Sequence, residues 1–129
     1  MHKGFLKAAA FIGALSVMLG AFGAHGLKQL LDEKSLAVYE TAVRYQFYHV
    51  FALAAVGILY KEFPVKMLRF AGVLFLTGML FFSGSLYLLT YRAVVHSDGF
   101  LWAGPITPLG GVLLIAAWIC LALGIGKGK

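Results

Sequence analysis

Long apolar stretches separated by short polar segments fill most of the chain. Four of them reach the roughly 20 residues that a helix needs to cross a bilayer. They cover residues 4–27, 41–60, 70–91 and 105–126, which we treat as a single domain, 1–129. Because backbone polar groups in lipid must be satisfied within their own segment, we predict helices and not strands. The pattern therefore predicts an all-α fold, an integral membrane bundle of four transmembrane helices with antiparallel neighbours.

The composition supports a membrane protein and argues against a soluble one. Hydrophobic residues make up 61% of the chain and charged residues 12%, about half the usual share of roughly 25%. A soluble domain of this size would need a more polar surface. The net charge of +6 is carried by few residues near the segment ends, so we expect contact with membrane lipids and no binding of nucleic acid.

The first apolar stretch has an alternative interpretation as a secretory signal peptide. Lys3 and Lys7 precede the apolar run, as basic residues do in such signals. The run is long for a signal core, however, and three more apolar stretches follow it. We therefore interpret the first stretch as a true membrane span.

The distribution of basic residues predicts the orientation. One side of the membrane would carry seven of them: Lys3, Lys7, Lys61, Lys66, Arg69, Lys127 and Lys129. The other side would carry four: Lys28, Lys34, Arg44 and Arg92. Cytoplasmic loops are enriched in Lys and Arg, so we expect both termini in the cytoplasm.

Two helix starts carry sequence signals. Asp32 or Ser35 is placed to cap the second helix, because short polar side chains accept hydrogen bonds from unpaired N–H groups at a helix start. Thr107 followed by Pro108 predicts a cap with proline at the first helical position of the fourth helix.

Small residues recur at helical spacing in the first span. Ser16, Gly20 and Ala24 lie four residues apart, which lets another helix approach closely. We expect such stripes to pack within the bundle. The alternative is that one stripe serves a homo-oligomer or a larger membrane partner.

Polar side chains cluster toward the non-cytoplasmic ends of the spans. The candidates for ligand binding are His25, Glu40, Arg44, Tyr45, Gln46, His49, Ser83, Ser85, Tyr87 and Thr107. Glu40 and Arg44 have the spacing of an intrahelical ion pair. His49 and Ser83 lie at matched depth and are candidates for a direct or water-mediated hydrogen bond.

Two interpretations of this polar cluster remain open. In the first, it binds a lipid headgroup, a small polar solute or an ion, with Arg44 meeting an anionic group, because ionisable residues at membrane depth usually mark function. In the second, the protein is a structural or accessory subunit, and the cluster only ties helices together. The spacing supports no metal site or cofactor. An enzyme acting on lipid is a third and less favoured interpretation, because no catalytic nucleophile with its base is evident.

Four motifs in the same regions carry a family resemblance. They are GAFGAHGL at 20–27, TAVRYQFYH at 41–49, FSGSLY at 82–87 and GPITPLGG at 104–111. In this order they resemble the YgdD-like family, also called domain-of-unknown-function family 423 (UPF0382 type), which has a eukaryotic relative among small transmembrane proteins. The resemblance implies a small multi-pass protein of the bacterial inner membrane, and it implies no activity.

Overall fold

A computed structural model describes residues 1–127, which form helices and no strand. In chain order the elements are α1 (Lys3–His25), a single 3-10 turn (Leu27–Gln29), α2 (Glu33–Leu59), α3 (Lys66–Val95) and α4 (Ala103–Lys127). Each of the four α-helices is long and apolar enough to cross a membrane. The all-helical prediction with four membrane-length helices is confirmed. Lys129, counted above among the basic residues, lies outside the described residues.

Two helices begin at side-chain caps. The His2 ring nitrogen Nδ1 accepts a hydrogen bond from the backbone N–H of Phe5 at 3.1 Å. At the start of α2, the carboxylate of Asp32 accepts one from the N–H of Ser35 at 2.8 Å, so Asp32 is the cap. This hydrogen bond holds the pKa of Asp32 below its ordinary value, since it stabilises the ionised form.

Helix α4 begins earlier than predicted, and the proposed cap at Thr107 is wrong. The helix starts at Ala103, which places Thr107 inside it and Pro108 in the helix interior. Pro105 is tolerated because the first N–H groups of a helix have no helical partner. Pro108 removes one donor, so the carbonyl of Gly104 loses its helical hydrogen bond.

The core is formed mainly where α3 meets its neighbours. Helix α3 packs against α2 and α4, and α1 packs against α2. Leu53, Leu68 and Phe75 are fully buried at the centre of the largest hydrophobic cluster. The side chains that surround them come from all four helices, so the bundle has one main core.

Glycines allow the closest helix contacts. Any side chain at Gly110 of α4 would overlap the backbone of Phe82 on α3. Gly78 of α3 similarly leaves room for Leu114, whose side chain lies where a Cβ would stand. In lipid, where no hydrophobic effect drives helices together, such close packing stabilises their association.

The small-residue stripe of α1 is only partly used inside the bundle. Ser16 is fully buried, and Gly20 faces Val43 of α2. Ala24 is exposed, as are large apolar side chains on the outer face of α1 such as Phe11. That outer face suits contact with lipid tails; a role in oligomerisation stays a prediction.

Candidate functional site

The ten candidate residues fall into three groups by their exposure. Gln46, His49, Ser83 and Ser85 are buried. Tyr87 and Thr107 are half-buried. The exposed members are His25, Glu40, Arg44 and Tyr45. The buried group therefore determines what the interior of the bundle can do.

Gln46 is the centre of a hydrogen-bond network that joins three helices. Its amide nitrogen Nε2 donates to the hydroxyl of Ser16 on α1 at 2.7 Å. Its amide oxygen Oε1 accepts from the phenol of Tyr87 on α3 at 2.6 Å. The same Nε2 also lies 3.5 Å from the carbonyl of Ile12. We call Ser16, Gln46 and Tyr87 the Gln46 network.

Two further hydrogen bonds reinforce these helix contacts. The hydroxyl of Ser83 on α3 donates to the carbonyl of Ala42 on α2 at 2.7 Å. The phenol of Tyr39 on α2 donates to the carbonyl of Leu19 on α1 at 2.5 Å. Tyr39 was not among the residues predicted from the sequence, although its seven-residue spacing from Gln46 places both on one face of α2.

His49 has protein partners at both ring nitrogens. Its Nδ1 lies 2.6 Å from the carbonyl of Tyr45, which can only accept, so the hydrogen is on Nδ1. Its Nε2 then accepts from the indole N–H of Trp118 on α4 at 3.2 Å. The predicted direct hydrogen bond between His49 and Ser83 is wrong, because both ring nitrogens of His49 and the hydroxyl hydrogen of Ser83 have other partners. The neutral ring has no free lone pair to offer a metal ion.

Ser85 and Thr107 connect α3 to α4. Their hydroxyl oxygens lie 2.5 Å apart, and Ser85 also donates to the carbonyl of Phe82 at 2.9 Å. Because a serine hydroxyl has one hydrogen, Thr107 is the donor to Ser85.

The side chains of the exposed candidates take no part in these hydrogen bonds, although the backbone carbonyl of Tyr45 is a partner of His49. The predicted ion pair between Glu40 and Arg44 is not formed; the ion pair within residues 1–127 joins Arg92 to Asp98 at 3.5 Å. Tyr45 lies against the ring of Phe82 with centroids 4.9 Å apart. Within the described part of the chain, no three His, Cys, Asp or Glu side chains gather as a metal site.

An apolar cleft lies beside the Gln46 network. It has a volume of about 350 Å³, within the range of roughly 300–1,000 Å³ common for small-molecule sites. Its lining is mostly apolar, with three polar residues, and consists of Ile12, Leu15, Gln46, Leu76, Met79, Leu80, Ser83, Gly84 and Tyr87. We call it the α1–α3 cleft, since most of its walls come from those helices.

Comparisons of the sequence with a family model and with known proteins identify membrane proteins of unknown function. A family model described as protein of unknown function (DUF423) matches residues 19–111. A UPF0382 membrane protein of Staphylococcus saprophyticus is 40% identical and covers 95% of this chain and 99% of its own.

Two further relatives extend the comparison. A UPF0382 membrane protein of Haemophilus influenzae is 40% identical over 100% of this chain and 98% of its own. A UPF0382 membrane protein of Schizosaccharomyces pombe is 39% identical and covers 85% of this chain and 91% of its own. No solved structure matches the chain.

Proposed function

Because the chain belongs to the DUF423 family of UPF0382 membrane proteins, whose function is unknown, we propose its function from its own geometry. The protein is a multi-pass inner-membrane protein with both termini in the cytoplasm. It holds the apolar chain of a membrane lipid in the α1–α3 cleft. The observation that supports this most strongly is that the polar groups beside the cleft already have partners within the protein.

The topology follows from the charges and from the short connections. The segments between the helices have at most seven residues. Seven extended residues span about 25 Å, less than the about 30 Å of the hydrocarbon core, so consecutive helices run antiparallel. The excess of basic residues near the termini, in the second connection and in the first turn of α3 favours the cytoplasm for that side.

The choice of an apolar occupant rests on the hydrogen bonds of the cleft. Gln46 uses its amide toward Ser16 and Tyr87, and Ser83 donates to a backbone carbonyl. A polar solute or an ion entering here would lose its water without gaining strong partners, which is costly. An acyl chain has no such requirement, and the apolar walls stabilise it.

A structural or accessory role is the second candidate. The same network favours this role, because the buried amide of Gln46 joins three helices and so stabilises the bundle. In this alternative the α1–α3 cleft has no preferred occupant and meets lipid only as the rest of the surface does. The two functions therefore differ in whether the cleft binds a lipid acyl chain more strongly than the rest of the protein surface does.

The test is photo-crosslinking in vesicles of phosphatidylcholine that carries a diazirine on one acyl chain. We expect labelling on Leu15 and Leu80 to exceed, by severalfold, the labelling on Val17 of the lipid-facing surface. Gly84→Phe should reduce cleft labelling, because Gly84 lines the cleft and a Cβ there meets only Leu80, at 3.9 Å. Gly126→Phe is the control, since nothing lies within 4 Å of its Cβ position.

Equal labelling of the cleft and the outer surface would refute lipid-chain binding and favour the structural role. The same conclusion would follow if Gly84→Phe, with unchanged thermal stability, left the labelling pattern as it is.

A further inference from the structure

We infer that the start of α3 carries a separate site for the headgroup of an anionic phospholipid. The site is a groove of about 320 Å³ lined by Lys66, Arg69, Phe70 and Val73, which we call the α3 groove. The evidence for the α3 groove comes from its own lining residues. The inference depends on the proposed function only for the leaflet that the groove faces and for the path of the lipid chain beyond it.

The spacing of the four residues places them on one face of α3. Lys66, Arg69, Phe70 and Val73 follow the pattern i, i+3, i+4, i+7, which is a single stripe along a helix. The cations stand at the helix end, and the apolar pair lies deeper in the span. Over about 10 Å the stripe changes from charged to apolar, as a phospholipid does from phosphate to acyl chain.

Arg69 is held in position before any lipid binds. Its Nη2 donates to the phenol oxygen of Tyr60 at 2.8 Å, and its guanidinium carbon lies 5.9 Å from the centroid of that ring. A guanidinium has five N–H donors in a fixed plane, so others remain for a phosphate. Holding a flexible side chain in advance lowers the entropy lost on binding.

The apolar half of the groove favours a lipid over free phosphate. Phe70 is 62% exposed and Val73 is 47% exposed, so both present apolar surface that an acyl chain covers. Leu80 lies seven residues beyond Val73 on the same side of the helix and lines the α1–α3 cleft. The chain of a lipid held at Lys66 therefore has an apolar path toward the cleft.

Charge complementarity identifies the class of headgroup. Two of the four lining residues are cations and none is a carboxylate. Glu62, the acidic residue nearest in sequence, belongs to the connection before α3 and does not line the groove. A headgroup with net negative charge is therefore preferred over a zwitterionic one.

The experiment is native mass spectrometry of the full chain in neutral detergent. The protein is titrated separately with dioleoyl phosphatidylglycerol and with dioleoyl phosphatidylcholine. A cation near the headgroup gives about a fivefold preference for anionic lipid, so two give roughly thirtyfold. We expect the phosphatidylglycerol preference to fall by about that factor in the double variant Lys66→Gln, Arg69→Gln.

The matched control removes the same charge outside the groove. Lys61→Gln with Lys127→Gln takes two exposed cations that do not line the α3 groove, and we expect a change of less than about threefold. If the groove double variant does not fold, Lys66→Gln alone tests the site, with a loss of about fivefold.

Several outcomes would overturn the inference. Equal binding of the two lipids by the unaltered protein, or equal losses in both double variants, would mean that no specific groove exists. Displacement of phosphatidylglycerol by inorganic phosphate at equal concentration would mean a phosphate site without lipid recognition. Gly84→Phe should keep the headgroup preference, so failure of the cleft and failure of the groove are distinguishable.

Discussion

Replacing Gln46 by leucine tests the hydrogen-bond network of the bundle. Gln46 is only 5% exposed, and leucine of similar size removes both of its strong contacts, to Ser16 and Tyr87. Hydrogen bonds between membrane helices average about 0.6 kcal/mol and reach about 1.7 kcal/mol. Two of them give an expected loss of about 1–3 kcal/mol in the free energy of unfolding.

The pairwise term can be isolated with a double-mutant cycle. Tyr87→Phe removes the hydroxyl that donates to Gln46, and the double variant removes both partners. We expect a coupling energy of about 0.6–1.7 kcal/mol, measured by reversible unfolding in mixed micelles of sodium dodecyl sulfate and a mild detergent.

The control for this cycle is Thr77→Val on α3. Its hydroxyl bonds the carbonyl of Val73 in its own helix, at 3.0 Å, so its loss should change stability by no more than about 0.5 kcal/mol. A coupling energy of zero within error, together with a loss of stability in Gln46→Leu no larger than in Thr77→Val, would refute a stabilising Gln46 network.

Three further perturbations probe other parts of the structure. Gly110→Ala should lower the free energy of unfolding by about 1–3 kcal/mol, because its Cβ overlaps the backbone of α3. Gly104→Ala is the control and should show no such loss, since nothing lies within 4 Å of its Cβ position. Equal effects of the two variants would contradict the close α3–α4 contact. Trp118→Phe should cost about 1 kcal/mol in unfolding free energy, because His49 Nε2 loses its donor, and no loss would argue against that bond. Asp32→Ala should destabilise the protein fully at a pH above 3.8, the ordinary pKa of the carboxyl group. This loss of stability should shrink as the pH falls through the lowered folded-state pKa, because protonation weakens the cap. A difference in thermal unfolding that does not depend on pH would contradict the cap.

The sequence was most informative about the spans. Their lengths and apolar character are direct consequences of the bilayer, so four membrane-length helices were predictable without any knowledge of packing. The start of α4 was misplaced because Thr107 followed by Pro108 matches the pattern of a cap followed by proline at the first helical position. In the structure Pro108 lies inside the helix, at the loss of one backbone hydrogen bond.

The polar contacts were only partly predictable. Gln46 and Tyr87 could be proposed as neighbours because Gln46 follows the start of its predicted span and Tyr87 precedes the end of the next one, which puts both polar side chains toward the same side of the membrane. The partner of His49 could not be predicted, because Trp118 is 69 residues away in sequence and lies in an apolar run where nothing marks it as a hydrogen-bond donor to a particular residue. Ser83 bonds to a backbone carbonyl, and no sequence pattern identifies which carbonyl faces a neighbouring helix.

An electron cryomicroscopy map of the protein in lipid nanodiscs would show directly whether the α1–α3 cleft holds a lipid chain beside a satisfied Gln46 network. We predict that the Gln46 amide is turned toward Ser16 and Tyr87, with elongated, chain-like density between α1 and α3 beside Leu80. A Gln46 amide turned into the cleft toward water or a compact polar molecule would contradict it.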